Sequence, residues 1–287
     1  MSAYVIETVL ESKTATRAFS FGHITDSHLV FSDATDDERK TKNVESRRGC
    51  FENPSGLSIQ TCFEEQTTFV KNECDFALFT GDILDFPAKT SLAFFRDTMK
   101  DIPFLYAWGN HDWNYAWEQE DRALLPLRTA LYASYGVENP EMRADEFGGV
   151  IFVGLNNTDY QFTEEECAFA EEQLKKGKDV IFYFHIPLYA KTLCPDVVSY
   201  WGKPIVVGCD EKGLSPVKPI TDATVHMLNV LEKYRENVLA IIAGHIHFSH
   251  EDETPFGCKQ YVTEAGCYGT LRRFSVVPKK GCESNVG

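Results

Sequence analysis

A short polar stretch, Gly109 to Asp112, directly follows an apolar run that extends from Ile102 to Ala107. The run is apolar enough to form a strand covered on both faces, and Gly109 allows the backbone to turn sharply after it. The next three side chains are an amide, an imidazole and a carboxylate, and open α/β sheets bind ligands at the carboxyl ends of their strands. By itself the stretch is more typical of an ordinary polar turn than of a site, so its meaning depends on the other strand ends.

Four other apolar runs also end in side chains that can bind a metal ion. Side chains two residues apart on an extended backbone project from the same face, so a pair at that spacing can reach one ion. Five of the eight histidines follow an apolar run, whereas His23, His226 and His250 lack the pattern and are interpreted as structural. The run over 18–24 ends in Asp26 and His28, that over 75–79 in Gly81 and Asp82, that over 180–184 in His185, and that over 238–243 in His245 and His247. We therefore expect the five strand ends to share one site.

Helical segments alternate with these strands. Helices are predicted over about 58–71, 90–99, 163–175 and 222–233, and Thr163 with Glu166 forms a capping-box pattern at the start of the third. Residues 144–157 predict a hairpin-like pair of strands, and residues 259–277 predict two or three antiparallel strands. Repeated strand, loop and helix units imply a mainly parallel sheet with helical cover, and therefore an α/β fold. Because the chain shows no repeat or linker, residues 1–287 are interpreted as one domain.

Two segments, about 31–54 and 186–219, lack a helical or strand period and are interpreted as long loop insertions. The first predicts a surface loop or lid, and the second a loop that shapes the pocket. The first also contains a basic cluster that we interpret as part of a solvated surface balanced by nearby acids, with recognition of a phosphate tail as the alternative. The cluster consists of Arg39, Lys40, Lys42, Arg47 and Arg48.

Three of the four tryptophans, Trp108, Trp113 and Trp117, lie close to the Gly109 turn. Trp113 and Trp117 are four residues apart and would share one face of a helix, which favours core packing. The alternative is a platform on which a nucleobase stacks.

Composition excludes several classes of protein. The formal net charge of −15 argues against a protein that holds extended nucleic acid on a broadly basic surface. The first twenty residues lack the pattern of a secretory signal, and no window approaches the roughly 18 apolar residues of a membrane span. The nine cysteines are scattered without a CxxC pair, which favours free thiols in a reducing compartment, and we expect a cytoplasmic protein.

The candidate ligands are nitrogen and oxygen atoms with no obvious thiolate. Such a mixture suits first-row ions such as Mn²⁺, Fe²⁺, Fe³⁺ or Zn²⁺ better than Ca²⁺. Seven ligands are too many for one tetrahedral zinc ion but fit two ions that share a carboxylate. Two such ions with few carboxylates leave a positive hole, which attracts a phosphoester and stabilises its transition state.

Taken in order, the motifs resemble those of the calcineurin-like metallophosphoesterase superfamily. They are DSH at 26–28, GD at 81–82, GNHD at 109–112, the lone His185 and GHIH at 244–247, and with their flanking strands they span most of the chain. The resemblance implies a four-layer αββα sandwich, in which two mixed sheets pack face to face between helices. It also implies a dinuclear metal centre at the carboxyl ends of the strands.

Carried over position by position, the resemblance assigns Asp26, His28, Asp82 and His247 to one metal. It assigns Asp82, Asn110, His185 and His245 to the other. In that assignment His111 faces the substrate as an acid or transition-state stabiliser, Asp112 orients its ring, and a metal-bridging hydroxide attacks phosphorus in line.

The motif order is closest to the branch of cyclic-nucleotide and glycerophosphodiester phosphodiesterases. Asp85 stands where the purple acid phosphatase branch has a tyrosine ligand, which excludes that branch. The expected activity is hydrolysis of small phosphodiesters or phosphomonoesters. The alternatives are a DNA or RNA nuclease, which the acidic composition argues against, and a silent binding scaffold, which should lack some ligands.

Overall fold

The computed structural model describes residues 3–34, 36–51, 53, 55–115, 121–209 and 212–280. Its strands are β1 (Tyr4–Ser12), β2 (Phe19–Ile24), β3 (Phe76–Phe79), β4 (Phe104–Tyr106), β5 (Met142–Phe147), β6 (Val150–Leu155), β7 (Val180–Tyr183), β8 (Val238–Ala243), β9 (His250–Glu253), β10 (Lys259–Val262) and β11 (Thr270–Pro278). Its α-helices are α1 (Glu38–Arg48), α2 (Ile59–Glu73), α3 (Lys89–Met99), α4 (Asn110–Trp113), α5 (Leu125–Ala133), α6 (Glu164–Leu174), α7 (Leu193–Trp201) and α8 (Asp222–Lys233). None of these helices is long and apolar enough to cross a membrane.

The strands form two mixed sheets. The first has the order β1-β11-β2-β3-β4 and the second the order β5-β6-β7-β8-β10-β9. Within the first sheet β2, β3 and β4 are parallel, and within the second β6, β7, β8 and β10 are parallel. Parallel neighbours end at the same edge of a sheet, so the polar residues that follow them in each sheet are brought together.

The two sheets pack face to face through a shared aromatic and aliphatic cluster. Phe21 of β2 stacks on Phe76 of β3 with ring centroids 5.3 Å apart, and it meets Phe152 of β6 edge to face at the same distance. Leu78 from the first sheet and Ile181 and Ile242 from the second belong to the same buried cluster. This cluster fixes the two sheets against each other.

Helices cover the outer faces of both sheets. Apolar residues of α2, α3 and α5 pack on the first sheet, and apolar residues of α6, α7 and α8 pack on the second. The arrangement is the expected four-layer αββα sandwich, and the fold prediction is confirmed. The predicted capping box is also present, since the Thr163 hydroxyl accepts from the Glu166 amide and the Glu166 carboxylate accepts from the Thr163 amide.

Both predicted loop insertions contain a helix, so the prediction of irregular structure over their full length is wrong. Helix α1 lies inside 31–54. Its sequence has no apolar helical period, because only Val44 of this helix is buried and its charged side chains pair along the surface, as Lys42 does with Glu38. Helix α7 lies inside 186–219. Its Pro195 occupies the first turn, where a proline removes no helical hydrogen bond.

The tail also differs from the expected antiparallel set. Strand β10 runs parallel to β8 and antiparallel to β9, whereas β11 crosses to the first sheet, where it runs parallel to β1 and antiparallel to β2. Trp108 and Trp113 are fully buried, which confirms core packing and excludes them as a stacking platform. Trp117 lies outside the described residues.

Candidate metal centre

Backbone conformation sets the predicted ligands apart from the rest of the chain. Of the described residues, seven that are not glycine have a positive φ, and five of these are predicted ligands. Left-handed backbone is costly for residues with a side chain and persists where the surroundings impose it, often at functional sites. The five are Asp26 (50°), His28 (48°), Asp82 (51°), His245 (72°) and His247 (64°).

The motif glycines allow the strand-end loops to pack against each other. A Cβ on Gly109 would lie 2.0 Å from the Asp82 amide nitrogen and 2.1 Å from Asp82 Oδ1. A Cβ on Gly244 would lie 2.4 Å from Asp26 Oδ2, although the two residues belong to different sheets. Any side chain at either glycine would therefore push a predicted ligand out of place.

One group of candidate ligands consists of Asp26, His28 and His247, whose ligand atoms all lie within 4.8 Å of one another. His247 Nε2 is 3.3 Å from Asp26 Oδ1 and 3.2 Å from His28 Nε2. The Nδ1 atom of His28 lies 3.2 Å from the Asp85 carboxylate, so this nitrogen donates to Asp85 and leaves Nε2 for the cluster. Such a carboxylate behind a histidine is typical of metal sites.

A second group consists of Asp82, His185 and His245, again within 4.8 Å. His185 Nε2 is 3.2 Å from Asp82 Oδ2 and 3.1 Å from His245 Nδ1. The other ring nitrogens are held outside the group, since His185 Nδ1 donates to the Thr80 carbonyl at 2.8 Å and His245 Nε2 lies 2.9 Å from the Tyr160 hydroxyl. One side chain that follows a strand of the first sheet and two that follow strands of the second thus present potential metal-ligand atoms to one point.

Among the described residues, two of the predicted ligands each have a buried oxygen without a hydrogen-bond partner. These oxygens are Asp26 Oδ1 and Asn110 Oδ1, both of them predicted ligand atoms. A buried oxygen without a partner is costly, and a bound cation would satisfy it. The orphan oxygens and the facing pairs of imidazole nitrogens therefore fit metal ions at this site.

The charge states of these groups suit metal binding. Burial lowers the pKa of His28 despite the Asp85 carboxylate, and burial together with His185 lowers the pKa of His245 to about 3. Burial alone would raise the pKa of Asp26 and Asp82, but the surrounding imidazoles hold the pKa of each well below its usual range. The site therefore offers ionised carboxylates at Asp26 and Asp82 and neutral imidazoles at His28 and His245, the forms that bind metal.

The His111 ring is oriented by Asp85 and not by Asp112, which corrects the sequence prediction. His111 Nδ1 lies 3.0 Å from the Asp85 backbone carbonyl and 3.3 Å from Asp85 Oδ1. Burial would lower the pKa of His111, but Asp82 and Asp85 raise this pKa to about 9. Its side chain is 21% exposed, whereas Asp82 and His185 beside it are nearly inaccessible.

Asp112 instead holds the loops together. Its two oxygens accept hydrogen bonds from the backbone amides of Asp82, Leu84 and Gly109, at 2.8 to 2.9 Å. It thereby joins the loop after β3 to the turn after β4. Asp112 is next to His111 in the sequence. However, the backbone of helix α4 directs the Asp112 carboxylate toward the end of strand β3 and not toward the His111 ring.

Asp85 is the functional residue that sequence reasoning missed. It is fully buried and accepts from Arg47 Nε and Nη2, both at 2.6 Å, while it also contacts His28 and His111. Burial would raise its pKa, but Arg47, His111 and His28 hold this pKa well below the usual range. Its position three residues after Asp82, behind a strand end, was the available signal.

The remaining three histidines have the structural surroundings expected of them. His23 is buried between the hydroxyls of Thr263 and Thr80, at 2.7 and 2.8 Å. His226 pairs with Glu164 on the surface, and His250 lies 3.4 Å from Asp252.

A family model described as calcineurin-like phosphoesterase matches residues 19–249. The chain belongs to this family. The sequence prediction of this family is therefore confirmed. The match includes all five strand-end motifs, and the family implies a dinuclear metal centre.

Individual relatives agree with this assignment. A probable glycerophosphodiester phosphodiesterase of Arcobacter nitrofigilis is 26% identical over 192 residues, which are 62% of this chain and 58% of that protein. This chain thus matches somewhat over half the length of that curated relative.

Two solved structures show the same fold. A dimetal phosphatase from Danio rerio has a TM-score of 0.52 at 14% identity, with 88% of this chain and 89% of that chain covered. A purple acid phosphatase from yellow lupin seeds has a TM-score of 0.54 at 14% identity, with 92% of this chain and 44% of that chain covered.

Proposed function

We propose that this protein hydrolyses small phosphodiesters or phosphomonoesters at a dinuclear metal centre. The observation that carries the proposal is the meeting of two ligand groups, one drawn largely from each sheet, around two buried oxygens that lack a partner. In this proposal Asp26, His28, Asp82 and His247 hold one ion. Asp82, Asn110, His185 and His245 hold the other.

Metal ions bound there would neutralise charge on the phosphoryl oxygens and lower the pKa of a bound water. The chain's own residues supply the rest. The Asp82 carboxylate, which we propose is shared by the two ions, accepts from the His111 amide at 2.8 Å, which fixes its position. Thr25 donates to Asp26 Oδ2 at 2.7 Å and holds that carboxylate in place.

His111 is proposed as the acid that protonates the leaving oxygen or binds the phosphoryl group. Its Nδ1 is engaged by Asp85, so Nε2 is the nitrogen left for substrate. Its partial exposure beside the buried ligands fits a group that meets substrate at the opening of the site. Such an acid typically contributes about 10²–10⁴ in rate.

The curated relative is named a probable glycerophosphodiester phosphodiesterase, which supports a small phosphodiester as substrate. The mixed nitrogen and oxygen ligands support Mn²⁺, iron or Zn²⁺. The structure describes eight of the cysteines and joins none of these in a disulfide, which supports the prediction of a reducing, cytoplasmic compartment.

The test is reconstitution of metal-depleted protein with Mn²⁺, Fe²⁺ or Zn²⁺, one at a time. Each form is assayed on cyclic nucleotides, glycerophosphodiesters, phosphomonoesters and single-stranded DNA. We expect hydrolysis of a small ester with about two ions bound per chain. Asp82→Ala should bind little metal, whereas the control Asp97→Ala, at an exposed acid paired with Arg96, should bind as much as the wild type. A wild-type protein that binds no metal, or cleaves only DNA, would refute the proposal.

A further inference from the structure

Helix α7 ends in two large aromatic side chains that face solvent. Tyr200 is 57% exposed and Trp201 is 39% exposed, whereas Trp108 and Trp113 are fully buried. Exposed aromatic groups of this size often mark binding surfaces. We call the pair Tyr200 and Trp201 the aromatic wall.

The aromatic wall lies next to the first ligand group. The Trp201 ring meets the His247 ring edge to face, with centroids 5.4 Å apart and an angle of 87° between the planes. Trp201 Nε1 donates to the Ile246 carbonyl at 2.9 Å, so the indole is fixed in orientation. The Tyr200 ring lies 5.2 Å from the indole.

Other aromatic rings flank His247 on different sides. Tyr268 lies 6.2 Å from its ring, and the buried Phe51 lies 6.0 Å from it and stacks on His28 at 3.8 Å. These contacts already pack the two histidines. The exposed part of Trp201 therefore exceeds what the support of His247 requires, and it remains free to meet a ligand.

We propose that the aromatic wall binds a planar aromatic ring in the organic part of the phosphoester, as in nucleoside or aryl phosphates. The inference rests on the proposed function, because a phosphate held by the two ligand groups would bring its ester group near Trp201, which lies against the proposed ligand His247. Stacking on an aromatic side chain is tolerant of the base and changes affinity by roughly 5- to 100-fold. The wall would thus select esters by their organic group, separately from the phosphate.

The test compares pairs of substrates. Both members of a pair have an alcohol as the leaving group, but only one member contains an aromatic ring. Adenosine 5′-monophosphate is paired with glycerol 3-phosphate, and 3′,5′-cyclic AMP with glycerophosphoethanolamine, while phenyl phosphate separates aryl from nucleoside recognition. For Trp201→Ala we expect KM for the aromatic esters to rise about 5- to 100-fold and KM for the glycerol esters to change less than about twofold. Trp201→Phe should restore most of the affinity. Leu127→Ala, at an exposed apolar residue of α5, is the matched control and should change KM for neither the aromatic esters nor the glycerol esters.

Bound metal and nucleotide binding are measured in parallel. If Trp201→Ala weakens aromatic and glycerol esters equally, or loses metal, Trp201 only supports the ligands and the inference is wrong. A wild type that cleaves glycerol esters but neither binds nor cleaves aromatic ones overturns the inference and leaves the proposed function intact. Conversely, nucleotide binding that depends on Trp201, without hydrolysis under any metal, supports the wall and refutes the proposed function.

Discussion

At the scale of single residues, the site depends on one carboxylate that has no place in the predicted ligand set. Asp85 accepts from Arg47 and contacts the rings of His28 and His111, so it connects a candidate ligand with the histidine that is proposed to face the substrate. A buried carboxylate with three cationic or donor partners is stable only while all of them remain.

Replacement of Asp85 by asparagine should therefore lower both activity and stability. The side-chain NH2 of asparagine would face the N–H groups of Arg47 and His28, which are also donors. We therefore expect kcat or metal affinity to fall about 10–100-fold. The free energy of unfolding should fall by about 3 kcal/mol. Asp97→Asn, at an exposed pair, should change the free energy by less than about 0.5 kcal/mol. Equal denaturation midpoints for Asp85→Asn and wild type would contradict this account.

His111→Ala should separate turnover from metal binding. Because His111 is proposed as an acid and not a ligand, the variant should retain its metal while kcat falls about 10²–10⁴-fold. Metal content by elemental analysis and steady-state kinetics on the same sample check this. Full kcat on an ester with a poor leaving group would refute the acid role.

Metal uptake should release a proton at neutral pH. Burial would lower the pKa of His185, but the Asp82 carboxylate raises this pKa to about 9, so the ring is protonated in the metal-free protein at pH 7. Binding requires the neutral ring, so the proton must leave, and the number of protons released should fall by about one as the pH rises above about 9. Calorimetric titrations in buffers of different ionisation enthalpy measure the number released. No buffer dependence at pH 7 would contradict the prediction.

At the scale of secondary-structure elements, α1 and α7 carry groups that reach the site from segments expected to be loops. Helix α1 buries only Val44 among its own residues, so its apolar packing is weak. Arg47 near its end pairs with Asp85, with 19% of the arginine side chain exposed. This ion pair is therefore the main link between α1 and the metal centre.

Arg47→Ala should loosen helix α1. We expect hydrogen exchange over 38–48 to become faster by a larger factor than exchange in β2 and β3, because the helix loses its main anchor while the strands keep their own contacts. The control Lys42→Ala removes an exposed pair with Glu38 on the same helix and should have little effect. Unchanged protection of α1 in Arg47→Ala would show that other contacts hold it.

At the scale of the whole molecule, the metal centre joins the two sheets. Asp26, His28, Asp82 and Asn110 follow strands of the first sheet, and His185, His245 and His247 follow strands of the second. The amide of His245 also donates to Asp26 Oδ2 at 2.8 Å, across the boundary between the sheets.

Bound metal should consequently stabilise the entire fold. A ligand at 100 times its Kd adds about 2.7 kcal/mol of stability, which for a chain of this size corresponds to a rise in Tm of about 4 to 5 °C. Calorimetry with and without a chelator measures the shift. Asp82→Ala, which should bind little metal, should show almost none, and a similar shift in that variant would place the stabilising ion elsewhere.

The sequence by itself determined the sheet-forming strands that end in ligands, most of the long helices, and the ligand candidates. These features are local: a buried strand is a continuous apolar run, and the residues at its end are fixed by covalent order. Because parallel strands end at the same edge, the clustering of those residues could be inferred without coordinates. The capping box of α6 was readable for the same reason.

Tertiary structure alone decided what depends on contacts between distant segments. The pairing of β1 with β11 joins the two ends of the described chain, and no local pattern specifies it. Arg47 and Asp85 are 38 residues apart, and Trp201 and His247 are 46 apart, so neither contact leaves a periodic signal. The prediction that Asp112 orients His111 was wrong because it relied on their adjacency in sequence. The turn into α4 directs the Asp112 carboxylate to backbone amides, and the His111 ring contacts Asp85 instead.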